Sequence, residues 1–183
     1  MDYQVIVVGG GHAGLEAAYA AAHLGMKTML ISINIKMIGN MPCNPSIGGS
    51  AKGIVVREID ALGGMMGIAA DHHYLQMKML NTGKGPGVQC LRAQQDKLEY
   101  PEFQQKMALS TENLTVKEGI VVSLTHDEKK ITGVVLDNGK NIYPEEIELI
   151  LNAKKLKAMC EIEDDEKEDN MTQSAFEQVT PSR

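Results

Sequence analysis

The sequence predicts an α/β domain built on a parallel sheet, and three observations near the N-terminus carry this prediction. Residues 3–8 form a continuous apolar, β-branched run, which is typical of a strand buried on both faces. Three glycines follow at once, and an alanine-rich helix is predicted over residues 13–24. A second strand is predicted over residues 27–33. Strand, glycine turn, helix and strand in this order indicate a βαβ unit with a right-handed crossover.

The rest of the chain predicts further elements in order. A loop over residues 35–49 leads to a helix that Ser50 caps and that ends near Leu62, before two glycines. After a glycine-rich loop over residues 81–88, a helix is predicted over residues 91–110, with a kink at Pro101. Apolar runs at 120–125, 131–136 and 141–143, with an Asn-Gly turn between the last two, predict an antiparallel meander. Residues 147–151 are expected to return to the parallel sheet.

Composition and charge divide the chain into one domain and a tail. Residues 161–169 hold seven acidic residues and one lysine, and removing them from 24 acidic and 18 basic residues leaves 17 of each. Such an acidic run is usually solvated. We therefore expect a partial Rossmann-like domain over residues 1–153, followed by an acidic and polar tail over residues 154–183 that is poorly ordered.

Several classes of protein are disfavoured. No basic stripe of the kind that marks a nucleic-acid-binding domain stands out. The three cysteines are widely spaced and form no C-x-x-C pair, which disfavours a zinc site and fits a reducing cytoplasmic location. The N-terminus has no basic segment before its short apolar run, so it predicts a strand and not a signal peptide. No stretch approaches the roughly 18–20 apolar residues of a membrane helix.

The glycine turn is the first candidate site. Gly9, Gly11 and Gly14 supply a G-x-G-x-x-G pattern between a buried strand and a helix, the setting in which this pattern indicates dinucleotide binding. The glycines allow a tight turn and close approach of a pyrophosphate, which meets free amides and the positive end of the helix dipole. The alternative is a structural glycine turn. His12, within the turn, either faces the cofactor or points away from it.

One part of the dinucleotide fingerprint is missing. An acidic residue that binds a ribose is expected about 20 residues beyond the last glycine. That region reads Ile-Ser-Ile-Asn at residues 31–34. Ser32 or Asn34 could hydrogen-bond a ribose hydroxyl, but more weakly than a carboxylate.

Cys43 is the candidate nucleophile. It lies between two prolines, just before a glycine-rich turn and a predicted helix start. That helix end, with Lys52 nearby, could favour the thiolate and thus nucleophilic chemistry. A buried loop cysteine without chemistry is the equally supported alternative.

The loop over residues 81–88 is a third candidate. Its glycines, Lys84 and the following Arg92 suggest contact with an anion or cofactor, although a flexible loop with a solvated lysine explains the pattern better. The pair His72-His73 has no metal-ligand spacing and is expected at the surface.

Taken together, these segments resemble the MnmG (GidA) family. GGGHAG at 9–14, PCNPSIGGSAKG at 42–53, REIDALGG at 57–64, and LNTGKGPGV with RAQ at 80–94 occur in the family's order and intervals. The resemblance covers roughly residues 1–143, and the Cys-Asn-Pro segment is far more specific than the glycine motif. After Tyr143 the family's Thr-Gly-Thr turn is absent, so the resemblance implies a truncated, N-terminal portion.

The resemblance implies a glutathione-reductase-type FAD-binding fold. It also implies modification of carbon 5 of the wobble uridine of certain tRNAs with the GTPase MnmE, using NADH and methylenetetrahydrofolate. Full-length relatives are expected to be homodimers. The resemblance places the catalytic cysteine at Cys43 and a backbone contact to the adenine side of FAD at Val121. The predicted cofactor-binding residues are thus Gly9, Gly10, Gly11, His12, Ala13, Gly14, Ser32, Asn34 and Val121.

Three functions remain open from the sequence. The chain is the FAD-binding piece of a tRNA-modifying flavoprotein, a non-catalytic fragment that retains only FAD binding, or an interaction module. An incomplete sheet edge and exposed apolar surface would suit the last of these. They also predict a poorly soluble monomer or a self-associated species.

Overall fold

The computed structural model describes residues 3–127 and 131–143 and the backbone of residues 148–151. The tail predicted over residues 154–183 lies outside the described residues, so its predicted boundary stays a prediction. The strands are β1 (Val5–Val8), β2 (Thr28–Ser32), β3 (Ser46–Gly48), β4 (Tyr74–Leu80), β5 (Cys90–Gln95), β6 (Leu114–Glu118), β7 (Val121–His126), β8 (Ile131–Leu136), β9 (Asn141–Ile142) and β10 (Glu148–Leu151). The helices are α1 (His12–His23), α2 (Lys52–Ala61), α3 (Met65–His73) and α4 (Glu99–Ser110).

The central sheet is parallel, as the βαβ unit predicts. Its strand order is β6-β2-β1-β10, and each neighbouring pair runs in the same direction. In chain order this is 3-2-1-4, the arrangement of the first half of a doubly wound dinucleotide-binding sheet. The order reverses between β1 and β10. Ligands of such sheets bind outside the carboxyl ends of the strands at that reversal, where β1 runs into the glycine turn.

Two layers cover the parallel sheet, one on each face. Val7, Leu15, Leu30 and Ala108 belong to a buried cluster that joins one face to α1 and α4. The second face carries Ile6, Met29 and Ile31, which pack against β7, β8 and β9. These three strands form the predicted antiparallel meander, in the order β7-β8-β9. Burial on both faces explains why β1 is an unbroken apolar run and why residues 29–31 of β2 are apolar.

A second, smaller sheet lies beside this core. Its antiparallel strands are in the order β3-β5-β4. Ile47 of this sheet is buried with Val56 of α2, Met66 of α3 and Tyr100 of α4. The small sheet and its helices therefore hold the segment that begins at the Cys-Asn-Pro loop.

The helix predicted over residues 91–110 is wrong in its first part. Residues 90–95 form β5, because pairing with β3 on one side and β4 on the other overrides the helical propensity of Leu, Arg, Ala and Gln. The helix begins at Glu99, and the Asp96 carboxylate accepts hydrogen bonds from the amides of Leu98 and Glu99. Pro101 lies in the first turn, where its missing N–H has no intrahelical partner, so no kink is needed there.

Other differences involve α2 and segments that the periodicity did not reveal. Ser50 does not cap α2; its N-cap is Ala51, without a side-chain hydrogen bond. Ile54 and Val55 were expected on one apolar face but are about half exposed, at 54% and 52%. Helix α3 and strands β4 and β6 were not predicted. The strand predicted over residues 147–151 is confirmed as β10, parallel to β1.

Candidate functional site

The glycine turn connects β1 to α1 at the carboxyl edge of the parallel sheet. Gly9 has φ 108°, a conformation that favours glycine, and its N–H donates to the Ile31 carbonyl at 2.8 Å. A Cβ on Gly14 would overlap the Gly9 carbonyl oxygen, and one on Gly10 would lie 2.6 Å from Cγ1 of Ile38. The glycines at positions 9, 10 and 14 are therefore required by the turn itself.

Gly11 differs from the other glycines of the turn. Its φ of −72° and ψ of 174° are open to any residue, and a Cβ there would meet nothing within 4 Å. Gly11 is the N-cap of α1 and offers no side-chain acceptor, and no other side chain among the described residues accepts from the first-turn amides of His12, Ala13 and Gly14. These amides and the open space in front of Gly11 form a cradle that fits a pyrophosphate. The residues present thus fit the phosphate-binding part of FAD.

His12 packs inward against α4. Its ring stacks on Tyr100 with centroids 5.8 Å apart, and its Nε2 is buried without a hydrogen-bond partner among the described residues. Burial, and then the charge of Lys52, lower the pKa of this imidazole below 6.5. Of the two orientations expected, the structure supports packing on Tyr100, with a neutral imidazole beside the phosphate cradle.

The predicted ribose-binding side chains already have partners within the protein. Ser32 is buried and its Oγ donates to the Asn34 carbonyl at 3.1 Å. The Asn34 Oδ1 accepts from the Lys36 amide at 2.8 Å and so caps a short 3₁₀ helix.

An acidic residue nonetheless stands beside Ser32, on β6. Glu118 is paired with Ser32 in the parallel register, is exposed, and accepts from the Ile35 amide through Oε2 at 3.1 Å. The sequence fingerprint looks for an acidic residue after β2, so it does not consider Glu118 on β6. Glu118 could have been found from the sequence as the acidic residue at the end of the next parallel strand, but only if β6 had been predicted.

Val121 lies in the meander, three residues beyond the end of β6. It is the first residue of β7 and is buried, 5% exposed. Two residues earlier, the Gly119 N–H donates to the Ser32 carbonyl at 2.9 Å. The turn between β6 and β7 thus brings the backbone at Val121 close to the ends of β2 and β6.

The Cys43 loop precedes β3. Cys43 is exposed, in contrast to the buried loop cysteine that was one alternative. Its thiol has no hydrogen-bond partner within the part of the chain that the structure describes. The Lys52 Nζ, expected near the thiol, donates to the Ser46 carbonyl at 2.9 Å. The structure therefore makes Cys43 accessible but shows no contact that activates it.

Glu16 connects α1, the helix after the glycine turn, to α3. Its two carboxylate oxygens accept from the amides of Met65 and Met66, at 3.1 and 2.6 Å, at the start of α3. Burial is the main cause that raises the pKa of Glu16, and the two amide hydrogen bonds oppose it. Sequence reasoning missed this contact because α3 itself was not predicted.

Of the remaining candidates, Lys84 and His72 lie at the surface and His73 is partly buried. Lys84 is exposed, and its amide donates to Asn81 at 2.9 Å in a tight turn. His72 is exposed as expected, but His73 is partly buried against Phe103 and its Nδ1 lies 3.3 Å from the Glu99 carboxylate. Among the described residues, no helix is long and apolar enough to cross a membrane.

The fold and the glycine turn together indicate the class of protein to which the chain belongs. The chain has an FAD-binding Rossmann-like fold. It superimposes on the structure of the flavin-dependent brominase Bmp2 with a TM-score of 0.60 over 87% of this chain and 40% of that one. Sequence identity between the two is 17%, so this likeness concerns the fold alone.

The family follows from closer similarities. The family model "Glucose inhibited division protein A" matches residues 4–170, beyond the expected limit at residue 143, and the chain belongs to this family. It is 59% identical over 140 residues to the tRNA uridine 5-carboxymethylaminomethyl modification enzyme MnmG of Lactococcus lactis subsp. lactis, covering 75% of this chain and 22% of that protein. The structure of Aquifex aeolicus GidA is 48% identical with a TM-score of 0.78, over 82% of this chain and 24% of that one. The chain thus spans about a quarter of the length of these relatives.

Proposed function

We propose that this chain binds FAD and forms the FAD-binding portion of an enzyme that modifies carbon 5 of the tRNA wobble uridine. The observation that carries the proposal is the uncapped start of α1, with open space at Gly11, at the reversal point of the parallel sheet. The names of the relatives support the tRNA part of the proposal.

Each part of the cradle has a distinct task in this proposal. The amides of His12, Ala13 and Gly14 hold the pyrophosphate through hydrogen bonds and the helix dipole. Glu118 accepts from a ribose hydroxyl through Oε1, while Oε2 keeps its hydrogen bond to Ile35. Ser32 and Asn34 would shape the turn that holds the ribose, and the backbone at Val121 would contact the adenine side of FAD.

Bound FAD supplies the redox chemistry of the reaction. The chain's own contribution beyond binding is Cys43, which we propose as the nucleophile, exposed before the small sheet. An exposed thiol is accessible to a substrate from solvent. A neighbouring base or cation would have to activate it, and the rest of the enzyme or the tRNA could bring such a group.

Other components of the reaction come from the family resemblance alone. NADH and methylenetetrahydrofolate as co-substrates, MnmE as the GTPase partner, a homodimeric assembly and a cytoplasmic location are proposals of this kind. None of them depends on a described contact.

One other function has a specific observation in its favour. The exposed apolar side chains of α2 and β4, among them Ile54, Val55 and Leu75, suit a module that packs against another chain. Alternatively, a fragment could bind FAD without catalysing the reaction. The enzyme portion and the non-catalytic fragment both bind FAD, whereas the interaction module does not. Turnover of the tRNA substrate then distinguishes the enzyme portion from the fragment.

The test is a titration of the purified, flavin-free chain with FAD, followed by absorbance between about 300 and 550 nm and by flavin fluorescence. We expect saturable binding that Gly11→Asp abolishes, because the carboxylate occupies the cradle and repels the pyrophosphate. Saturable binding that survives Gly11→Asp would place FAD elsewhere. Absence of binding would leave the interaction module as the function.

A further inference from the structure

One face of the small sheet carries an unusual set of side chains. In the antiparallel register Lys78 of β4 lies directly opposite Arg92 of β5, and Gln76 lies directly opposite Gln94. Directly opposite residues share a face of the sheet, so two cations stand side by side with two amides next to them. The strands β3, β4 and β5 contain no aspartate or glutamate.

These charges are not neutralised within the protein. Over residues 3–127 and 131–143, whose side chains the structure describes, neither Lys78 nor Arg92 has an ion pair with a carboxylate. Like charges directly opposite each other are unfavourable in a sheet. The arrangement is therefore costly for the fold alone and becomes favourable once an anion binds across both side chains.

The shape of this face indicates what kind of anion fits. Gln76, Lys78, Leu80, Arg92 and Gln94 line a shallow depression of about 60 Å³. This is far below the roughly 300–1,000 Å³ of pockets that enclose small-molecule ligands. The face suits a single anionic group presented by a larger molecule, as a nucleic-acid backbone presents a phosphate.

The depression is also connected to the Cys43 loop. The Arg92 Nη2 donates to Oδ1 of Asn44, the neighbour of Cys43, at 3.4 Å. The Lys52 Nζ donates to the carbonyl of Ser46, at the start of β3 in the same sheet. A group bound at Lys78 and Arg92 is thus held beside the loop that presents the exposed thiol.

We propose that this face of the small sheet binds a backbone phosphate of an RNA strand through Lys78 and Arg92, and so positions a nucleoside at the Cys43 loop. The inference rests on the proposed function, since it supplies the contact by which a tRNA is held. Lys78 and Arg92 are positioning residues in this account, and Gln76 and Gln94 are available for the neighbouring sugar or phosphate oxygens.

The experiment measures RNA binding by fluorescence anisotropy at several KCl concentrations, using the full chain and a labelled RNA hairpin with uridine at the wobble position. Lys78→Gln and Arg92→Gln should each weaken binding about three- to tenfold near 50 mM salt. Each should also reduce the slope of log affinity against log salt by about 0.7–0.9, the value for one phosphate contact. Arg92→Lys should restore most of the slope, because the charge is kept.

Lys140→Gln is the matched control, because Lys140 is exposed beside the turn between β8 and β9 in another sheet. Circular dichroism confirms that each variant is folded. The proposal is overturned if Lys78→Gln and Arg92→Gln bind RNA with the affinity and slope of Lys140→Gln, or if the unchanged chain does not bind the hairpin. FAD titration of the same samples tests the proposed flavin site separately from the proposed RNA-binding surface. Charge-dependent RNA binding without FAD binding would reject the flavin site and keep this surface.

Discussion

Gly11→Ala separates what the glycine turn does for the fold from what it does for a ligand. The position is an N-cap with φ −72° and ψ 174°, which alanine can adopt, and a Cβ there meets nothing within 4 Å. Alanine is a poorer N-cap than glycine, whereas the loss of glycine reduces the entropy of the unfolded chain. These effects oppose each other, so we expect the free energy of unfolding to change by no more than about 0.5 kcal/mol.

The effect on FAD should be much larger. A methyl group at the closest approach moves the pyrophosphate away from the first-turn amides. Loss of one hydrogen bond to a charged group costs about 1.5–3 kcal/mol, which corresponds to roughly 10- to 150-fold in Kd. Urea unfolding of the flavin-free chain gives the first quantity, and quenching of flavin fluorescence gives the second.

Two further glycine variants complete the comparison. Gly14→Ala places its Cβ against the Gly9 carbonyl oxygen, so it should lower stability by about 1–3 kcal/mol as well as weaken FAD binding. Gly83→Ala, in an exposed loop with open space around the position, should change neither. The reasoning is refuted if Gly11→Ala binds FAD as tightly as the unchanged chain, or if it unfolds as easily as Gly14→Ala.

Three other predictions concern single side chains. Cys160→Ser removes the third cysteine and leaves Cys43 and Cys90 as the only thiols. In this background the exposed Cys43 should react rapidly with a thiol reagent and the buried Cys90 slowly. A fast phase that remains after Cys43→Ser would contradict the exposure of Cys43. Glu118→Gln should raise the Kd for FAD about fivefold, because a charge-assisted hydrogen bond becomes a neutral one; an unchanged Kd would remove Glu118 from the site. The pKa of His12 is lower in the folded chain than in the unfolded chain, so the unfolded chain takes up the proton at a higher pH. The free energy of unfolding should therefore fall as the pH drops below about 6.5, by at most about 1.4 kcal/mol per pH unit. His12→Phe should lose this part of the pH dependence in urea unfolding, and an identical pH profile would contradict the buried, neutral imidazole.

The parallel core was predictable because its signals are local. A strand buried on both faces reads as an unbroken apolar run, and the glycine turn follows it directly, so β1, α1 and β2 were found within a few residues. The Asn-Gly turn likewise located the hairpin of β8 and β9. In each case the residues that determine the structure are neighbours in sequence.

The small sheet was not predictable in the same way. The segment CLRAQQ has good helix formers, and only its partners β3 and β4, some 45 and 10 residues upstream, make it a strand. Residues 75–79 of β4 do alternate between apolar and polar side chains, which is the local pattern of a strand, but this edge strand is exposed over most of its length and was not predicted. The cationic pair depends on β4 and β5, and the position of Glu118 depends on β6 of the parallel sheet. None of these strands was predicted, so both features became visible only in the structure.

The candidate site shows the same division. The amides and glycines of the turn follow from the G-x-G-x-x-G pattern. The roles expected of Ser32 and Lys52 depended on contacts that no pattern specifies, and the structure gives both side chains other partners. The exposure of Cys43 was likewise open until the loop before β3 was placed.

The central claim is that the glycine turn and the adjacent strand ends hold the ADP half of FAD. The most direct measurement is a competition experiment in which the chain, saturated with FAD, is titrated separately with ADP and with riboflavin. The account predicts that ADP displaces FAD with a single competitive constant and that riboflavin, which lacks the pyrophosphate, does not. Displacement by riboflavin alone, or no saturable FAD binding at all, would contradict it.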